Sequence, residues 1–322
     1  MLNTLSYKIK QFFFVLIKLS LVVGTFYFIY NKLANNNALS FNDFMLFSSK
    51  NNVFSPKNII FLLTLTFFNW FLEIKKWQHL ISFFKKISFK TAAEQSLGAL
   101  TASLLTPNRI GEYGAKAMYY TPSLRKHVML ANLLNNLLQM GVTTLLGIIG
   151  FSFYILTYKP ILNYNKLIFF FILILAVTFL VGFIIKKSSF KIKGVTLEKL
   201  KQFFRSYPKQ KLNLGFLLSL MRYIIFSFQC YFILHVFGTN LSYFNAMIII
   251  TSMHLLTSLT PSIFIFDVII KGGVAIYLFS LANINELITL CTITIMWLFN
   301  FVLPSLFGCY YILRFNFYKN QD

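Results

Sequence analysis

Apolar runs of helix length, separated by short polar stretches, organise this chain from end to end. Runs such as FFFVLIKLSLVVGTFYFIY (12–30) and LIFFFILILAVTFLVGFII (167–185) can cross a hydrocarbon core, which needs roughly 20 apolar residues. The pattern predicts full spans near 12–30, 58–74, 129–157, 167–186, 212–237 and 287–313, and two interrupted segments over 92–120 and 244–280. The expected fold is all-α: a polytopic helical membrane protein with about six full spans plus two interrupted, re-entrant hairpins. The polar stretches 31–57 and 187–211 fall short of the roughly 50 residues of the smallest soluble domains, so 1–322 reads as a single transmembrane domain. The first run is too long, and lacks the small-residue cleavage site, for a removable signal peptide.

The interruptions share a pattern. LLTPNRIGEYGAK (104–116) and SLTPSIFIFDVIIKGG (258–273) each follow an apolar run that ends in Leu-Thr-Pro. Each then carries an acid, Glu112 or Asp267, and a lysine four residues beyond it, Lys116 or Lys271. Proline has no amide hydrogen and clashes with the preceding turn, so it breaks a helix yet suits the first position of a new one. Thr106 and Thr260 are therefore expected to cap second half-helices that begin at Pro107 and Pro261. A first half over 94–105 would be roughly 18 Å long, just past the middle of a core about 30 Å thick. Three spans separate the two segments, an odd number, so they are expected in inverted orientation with their tips meeting near the midplane.

A net charge of +22 would suggest nucleic acid in a soluble protein. Here the basic residues collect between spans, and no basic, aromatic domain stands outside them, so no nucleic-acid partner is expected. With the amino terminus inside, inner loops hold twenty basic residues and outer loops five, which predicts both termini in the cytoplasm. The loop VTLEKLKQFFRSY (195–207) spaces apolar residues helically opposite lysines; it reads either as a helix resting on anionic headgroups or as an ordinary amphipathic inner loop. Cys230, Cys291 and Cys309 lack paired spacing and the four histidines are scattered, so neither a disulfide, a metal nor a cofactor is expected.

The charge inside the interrupted segments points to a binding site. Arg109, Glu112 and Lys116 are spaced three and four apart and share a helix face. Arg109 can meet a phosphate bidentately, and Lys116 can add a point charge or hold Glu112. Gly111 and Gly114 would admit a neighbouring helix or a headgroup. Asp267 and Lys271 offer a second pair, and Arg222 lies in the span before them. The competing reading makes Glu112–Lys116 and Asp267–Lys271 purely structural ion pairs. Glu94 and Gln95 read as interfacial, and Asn132, Asn135, Asn136 and Gln139 as an interhelical hydrogen-bonding stripe.

On these residues the chain resembles the lysylphosphatidylglycerol synthase transmembrane-region family of flippase-like integral membrane proteins. Pro107, Arg109, Gly111, Glu112 and Lys116 match that family's short motif one by one. The resemblance implies a lipid-translocating domain, joined in some members to a cytoplasmic aminoacyl-transferase domain, which this sequence does not show. The second segment also departs from the pattern, because Gly272 and Gly273 come only after the lysine. The expected function is translocation of an anionic or aminoacylated phospholipid, or another phosphate-bearing lipid, across a bacterial inner membrane. The expected partners are the lipid headgroup, the membrane and a separate lipid-synthesising enzyme. The alternatives are an integral-membrane lipid transferase with Glu112 or Asp267 as base, and a non-catalytic subunit of a separate synthase.

Overall fold

The computed structural model describes residues 41–104, 106, 109–160, 197–259 and 267–315, with six isolated helical positions between 16 and 30. The expected spans at 12–30 and 167–186 thus lie outside the described residues. What is described is all helical: α1 (Phe41–Lys50), α2 (Pro56–Ile81), α3 (Phe89–Leu104), α4 (Ile110–Ala117), α5 (Pro122–Tyr158), α6 (Leu197–Ser206), α7 (Lys209–Val236), α8 (Tyr243–Leu259), α9 (Asp267–Ser280), α10 (Glu286–Trp297), a π turn (Leu298–Val302) and α11 (Leu303–Arg314). Among the described residues, four stretches are long and apolar enough to cross a membrane: α2, α5, α7 and the continuous Glu286–Arg314. The chain is a polytopic helical membrane protein.

Each element ends where its sequence says it should, with instructive exceptions. Proline opens α2 after Ser55 and α5 after Thr121, at positions where a missing amide costs nothing. The span expected over 58–74 runs on to Ile81. Nothing before Ser82 breaks the helix, and Trp70, Ile74, Trp77 and Ile81 continue one buried face at helical spacing. The span expected to be even over 287–313 contains the π turn. Pro304 cannot donate to the carbonyl of Asn300 four residues earlier, and that carbonyl accepts Trp70 Nε1–H at 3.1 Å instead. The polar stretch 31–57 also holds a helix, α1, whose Phe47 stacks on Phe237 with ring centroids 5.3 Å apart.

Antiparallel packing sets the architecture. α2 and α7 lie side by side: Lys211 Nζ donates to Ser82 Oγ (2.6 Å) at one end, and Phe61 meets Phe232 (4.5 Å between ring centroids) toward the other. α3 pairs with α11, where Thr101 Oγ1 donates to the Ser305 carbonyl at 2.9 Å. α8 pairs with α5, with Phe153 and Phe244 in contact where α5 ends and α8 begins. The start of α3 lies beside the end of α2, since Trp77 Nε1 donates to Gln95 Oε1 at 2.7 Å, and the start of α5 lies there too, with Phe84 against His127. Hence α3 and α8 enter the bundle from opposite ends. Each packs on the helix that closes the other's half of the chain, in a crossed arrangement.

Glycine makes both crossed contacts possible. A Cβ on Gly308 would strike the Leu97 carbonyl and Thr101, and one on Gly150 would strike Thr251. The amphipathic helix α6 turns its apolar side inward: Phe203 and Tyr207 pack against Leu80 and Leu134, and the Tyr207 hydroxyl donates to the Leu80 carbonyl. Phe203 and Tyr207 are thus covered by protein. Cys230, Cys291 and Cys309 are buried and free.

These contacts generate a paired test. Gly308→Val should destabilise the protein by about 1–3 kcal/mol through overpacking, whereas Gly114→Ala, where nothing lies within 4 Å, should change stability by about 0.5 kcal/mol or less. Unfolding of both variants by denaturant titration in micelles checks the contrast.

Candidate functional site

The first interrupted segment is broken as the Thr-Pro sequence requires, but the cap is displaced. α3 ends at Leu104 and α4 begins at Ile110, so Thr106 is not its N-cap. A hydroxyl can donate and accept at once, and Thr106 Oγ1 does both, donating to the Ser103 carbonyl (3.1 Å) and accepting from the Gly111 amide (2.8 Å). One side chain thus ties the end of the first half to the start of the second. Arg109 takes the cap position with φ +56°, a left-handed conformation that a non-glycine residue adopts at a cost of about 1–3 kcal/mol. Gly111 is needed where the chain folds back: a Cβ there would come within 2.6 Å of the Ala102 carbonyl and 2.9 Å of Thr106 Oγ1. Gly111 thus admits the backbone of α3 where the chain folds back, whereas Gly114 meets nothing within 4 Å.

α4 projects its charges inward. Lys116 is 1% exposed; its ammonium donates to Glu112 Oε1 (2.9 Å) and Asn132 Oδ1 (2.7 Å) and lies 4.1 Å from the centre of the Trp77 ring. Arg109 Nη2 approaches the other carboxylate oxygen of Glu112 at 3.3 Å, with half of the arginine side chain exposed. Glu112 is thus held between two cations, one sealed in protein and one at a cavity. The Trp77 face supplies a cation–π contact in a dry site, where such contacts are strongest.

A second buried carboxylate lies one helix away. Glu73 on α2 receives Lys76 Nζ at 2.9 Å and Arg222 Nη1 at 2.8 Å on one oxygen, and the Asn135 amide at 2.9 Å on the other. Lys76 lies just beyond the span expected over 58–74, yet it is 1% exposed, because α2 continues past residue 74. The signal was present in Glu73 and Lys76, spaced i,i+3 between Trp70 and Trp77 in a run without a helix breaker. Arg222 was anticipated, and its Nε also donates to Asn69 Oδ1 at 3.0 Å. From there Asn69 donates to Asn300 Oδ1 (2.7 Å), Asn300 to Gln229 Oε1 (2.8 Å), and Gln229 to Thr66 Oγ1 (3.0 Å). Asn69, Asn300, Gln229 and Thr66 are all buried, and none of the four is singled out by the sequence pattern.

The asparagine stripe of α5 is interhelical, as expected, and its partners are the charges. Asn132 meets Lys116, Asn135 meets Glu73, Asn136 meets the Tyr113 hydroxyl at 3.3 Å, and Gln139 accepts weakly from Arg222 at 3.4 Å. Gln95 is not interfacial: it is 1% exposed and accepts from both Trp77 Nε1 and the Tyr120 hydroxyl. Glu94, half-buried, lines a separate cavity at the end of the bundle.

Beside the two carboxylates lies a cavity of about 250 Å³. Arg109 of the first interrupted segment, Arg222 of α7, and His254, Thr257 and Ser258 of α8 all contribute to its wall. The end of α8, the first half of the second interrupted segment, therefore shares a cavity with the break of the first. Pro107, Thr260 and Pro261 lie outside the described residues; Asp267 and Lys271 are on the helix α9, with side chains outside them too.

Crossed helices and buried ion pairs on asparagine-bearing spans define a multi-pass membrane protein with a charged interior. The family described as the lysylphosphatidylglycerol synthase transmembrane region matches residues 12–308, and the chain belongs to it. No curated protein and no solved structure matches.

The ion pairs predict a thermodynamic signature. Lys116→Met should cost about 3–5 kcal/mol, because Glu112 then loses its sealed partner, and Glu112→Gln in the same chain should recover part of that loss. Unfolding of the two singles and the double in micelles closes the cycle.

Proposed function

We propose that this chain translocates phosphate-bearing lipid between leaflets, holding the headgroup at the cavity between Arg109 and Arg222. One observation carries the reading: among the described residues the cluster sets four cations, Lys76, Arg109, Lys116 and Arg222, against two carboxylates, Glu73 and Glu112. Uncompensated charge inside a membrane is costly, so an excess of two positive charges calls for an anion. Both arginines reach the cavity and the lysines do not, which fits a division of labour. Lys76 and Lys116 keep the carboxylates ionised and in place, while the arginine forks meet the ligand.

In this reading residues 1–322 form one flippase-like domain of six full spans and two re-entrant hairpins, in inverted orientation, in a bacterial inner membrane with both termini cytoplasmic. The opposed entry of α3 and α8 supports the inversion, as does the shared cavity at their ends. Thr106, Pro107 and Gly111 shape the first hairpin, and Thr260 and Pro261 the second; Arg109, Glu112, Lys116 and Arg222 bind, joined by Asp267 and Lys271. The substrate is an anionic or aminoacylated phospholipid, or another lipid with a phosphate, and a separate lipid-synthesising enzyme would supply it. Engagement of Glu112 by both Lys116 and Arg109 opposes it as the base of the transferase alternative.

Reconstituted into vesicles, the wild-type protein should move labelled phosphatidylglycerol between leaflets. Arg222→Ala and the half-exposed Arg109→Ala should slow transfer about tenfold or more, the scale of one charge-assisted hydrogen bond. Transfer in both variants at the wild-type rate, in protein that still elutes as a folded species, would overturn the assignment.

A further inference from the structure

The polar chain that begins at Arg222 has a direction, and both of its ends impose it. A guanidinium can only donate, so Asn69 must present Oδ1 to Arg222 Nε (3.0 Å). A backbone carbonyl can only accept, so Gln229 must present Nε2 to the Leu62 carbonyl (3.2 Å). Between these ends Asn69 Nδ2 donates to Asn300 Oδ1 (2.7 Å), and Asn300 Nδ2 donates to Gln229 Oε1 (2.8 Å). The three amides therefore point the same way, oxygen toward Arg222 and nitrogen away. Reversing any one of them would set like atoms face to face.

Three elements build the chain. Leu62, Thr66, Asn69 and Glu73 recur at helical spacing along one face of α2, and Arg222 and Gln229 lie two turns apart on α7. The π turn brings Asn300 between them, its backbone carbonyl held by Trp70 Nε1 at 3.1 Å. Asn69, Asn300 and Gln229 are each no more than 3% exposed, so water does not compete for these bonds. Gln229 is not among the residues that line the Arg109–Arg222 cavity, and about 10 Å of helix separates it from Arg222.

At Arg222 the chain meets a fork held along one edge. Nε is taken by Asn69, and Nη1 by Glu73 at 2.8 Å and weakly by Gln139 at 3.4 Å. Nη2 has no hydrogen bond to a described residue, and 22% of the side chain is exposed where it lines the cavity. We infer that the aligned amides of Asn69, Asn300 and Gln229 position Arg222, holding its Nε edge against α2 and leaving Nη2 to an anion in the cavity. Glu73 and Gln139 meet a single nitrogen, which by itself would let the guanidinium plane swing. The oxygen ends facing Arg222 also lower the cost of keeping its charge in a dry interior. The inference rests on the reading of that cavity as an anion site, and it adds Gln229, outside the cavity, to the residues that set its affinity.

The test measures equilibrium binding of a short-chain phosphatidylglycerol to the full-length protein in neutral detergent by titration calorimetry. Gln229→Met keeps the side-chain length and removes the amide; it should weaken binding roughly fivefold, the scale of one hydrogen bond. In an Arg222→Ala background the same substitution should change affinity by less than about twofold, because no fork is left to position. Tyr154→Phe, which removes a buried hydrogen bond to the Leu278 carbonyl outside the chain, should leave affinity unchanged. Asn69→Ala, which removes the contact with Arg222 itself, should weaken binding about tenfold and carries the same cycle if Gln229→Met does not fold. Wild-type affinity in the folded variants, or an equal loss with and without Arg222, overturns the inference. Absence of binding by the wild-type protein overturns the cavity as an anion site and the inference with it. Binding that follows the cycle, without transfer between leaflets, supports the inference and overturns the transport reading alone.

Discussion

The constraint on which this molecule depends is the cost of charge in a medium that cannot solvate it. Six ionised side chains gather inside the bundle, and each is tied to an opposite charge within 3.3 Å. Pairing alone would not suffice, because attraction between two buried ions rarely repays their desolvation without further hydrogen bonds. Asn132 and Asn135, one turn apart on α5, supply them: one completes Lys116 and the other completes Glu73. α5 therefore couples two ion clusters carried by α4 and α2, so the packing of three helices is fixed by the same side chains that carry the charge.

That coupling explains the crossed architecture. A half-helix with a broken end exposes backbone groups that lipid cannot satisfy, so it must be sheathed by protein. α3 is sheathed by α11, and α8 by α5, each through glycines that let the backbones nearly touch. Pro304 extends the arrangement, since the carbonyl it leaves without a donor is taken up by Trp70 and its residue, Asn300, joins the polar chain to Gln229. At the irregular places in the backbone, Asn300 of the π turn joins the polar chain, and Thr106 beside the break bonds the Ser103 carbonyl and the Gly111 amide. Irregularity and charge are parts of one solution.

Much of this was legible in the sequence, for reasons that can be named. Thr-Pro reads as a break because proline's missing amide is a local fact, and Arg109, Glu112 and Lys116 read as one face because helical spacing is local too. The polar stripe of α5 was legible by the same periodicity. Glu73 and Lys76 were not, since a falling hydropathy marks equally the end of a span and a charged turn within it. Buried partners distinguish the two, and partners such as Asn135 and Arg222 are distant in the chain. Gln95 failed likewise: its burial depends on Trp77 and Tyr120, neither of which its neighbours reveal. Thr106 was recognised as a cap but misplaced, because one hydroxyl serving two helix ends is a property of the turn and not of the tripeptide.

The left-handed backbone of Arg109 is the last piece, and it argues for use over mere stability. Asparagine or glycine would adopt φ +56° at lower cost, and Glu112 already has Lys116 at 2.9 Å as a sealed partner. Arg109 strains the backbone and leaves half its side chain open, and its Nη2 at 3.3 Å is the cation beside Glu112 Oε2, a buried oxygen that accepts no hydrogen bond from a described residue. Arg109 also brings a fork of donors to the cavity that Arg222 reaches from α7. Strain of this kind clusters at functional sites in proteins at large, which is why the proposal above assigns Arg109 to the ligand. Position separates the two arginines from the two buried lysines: the lysines are sealed against carboxylates, and the arginines reach the cavity.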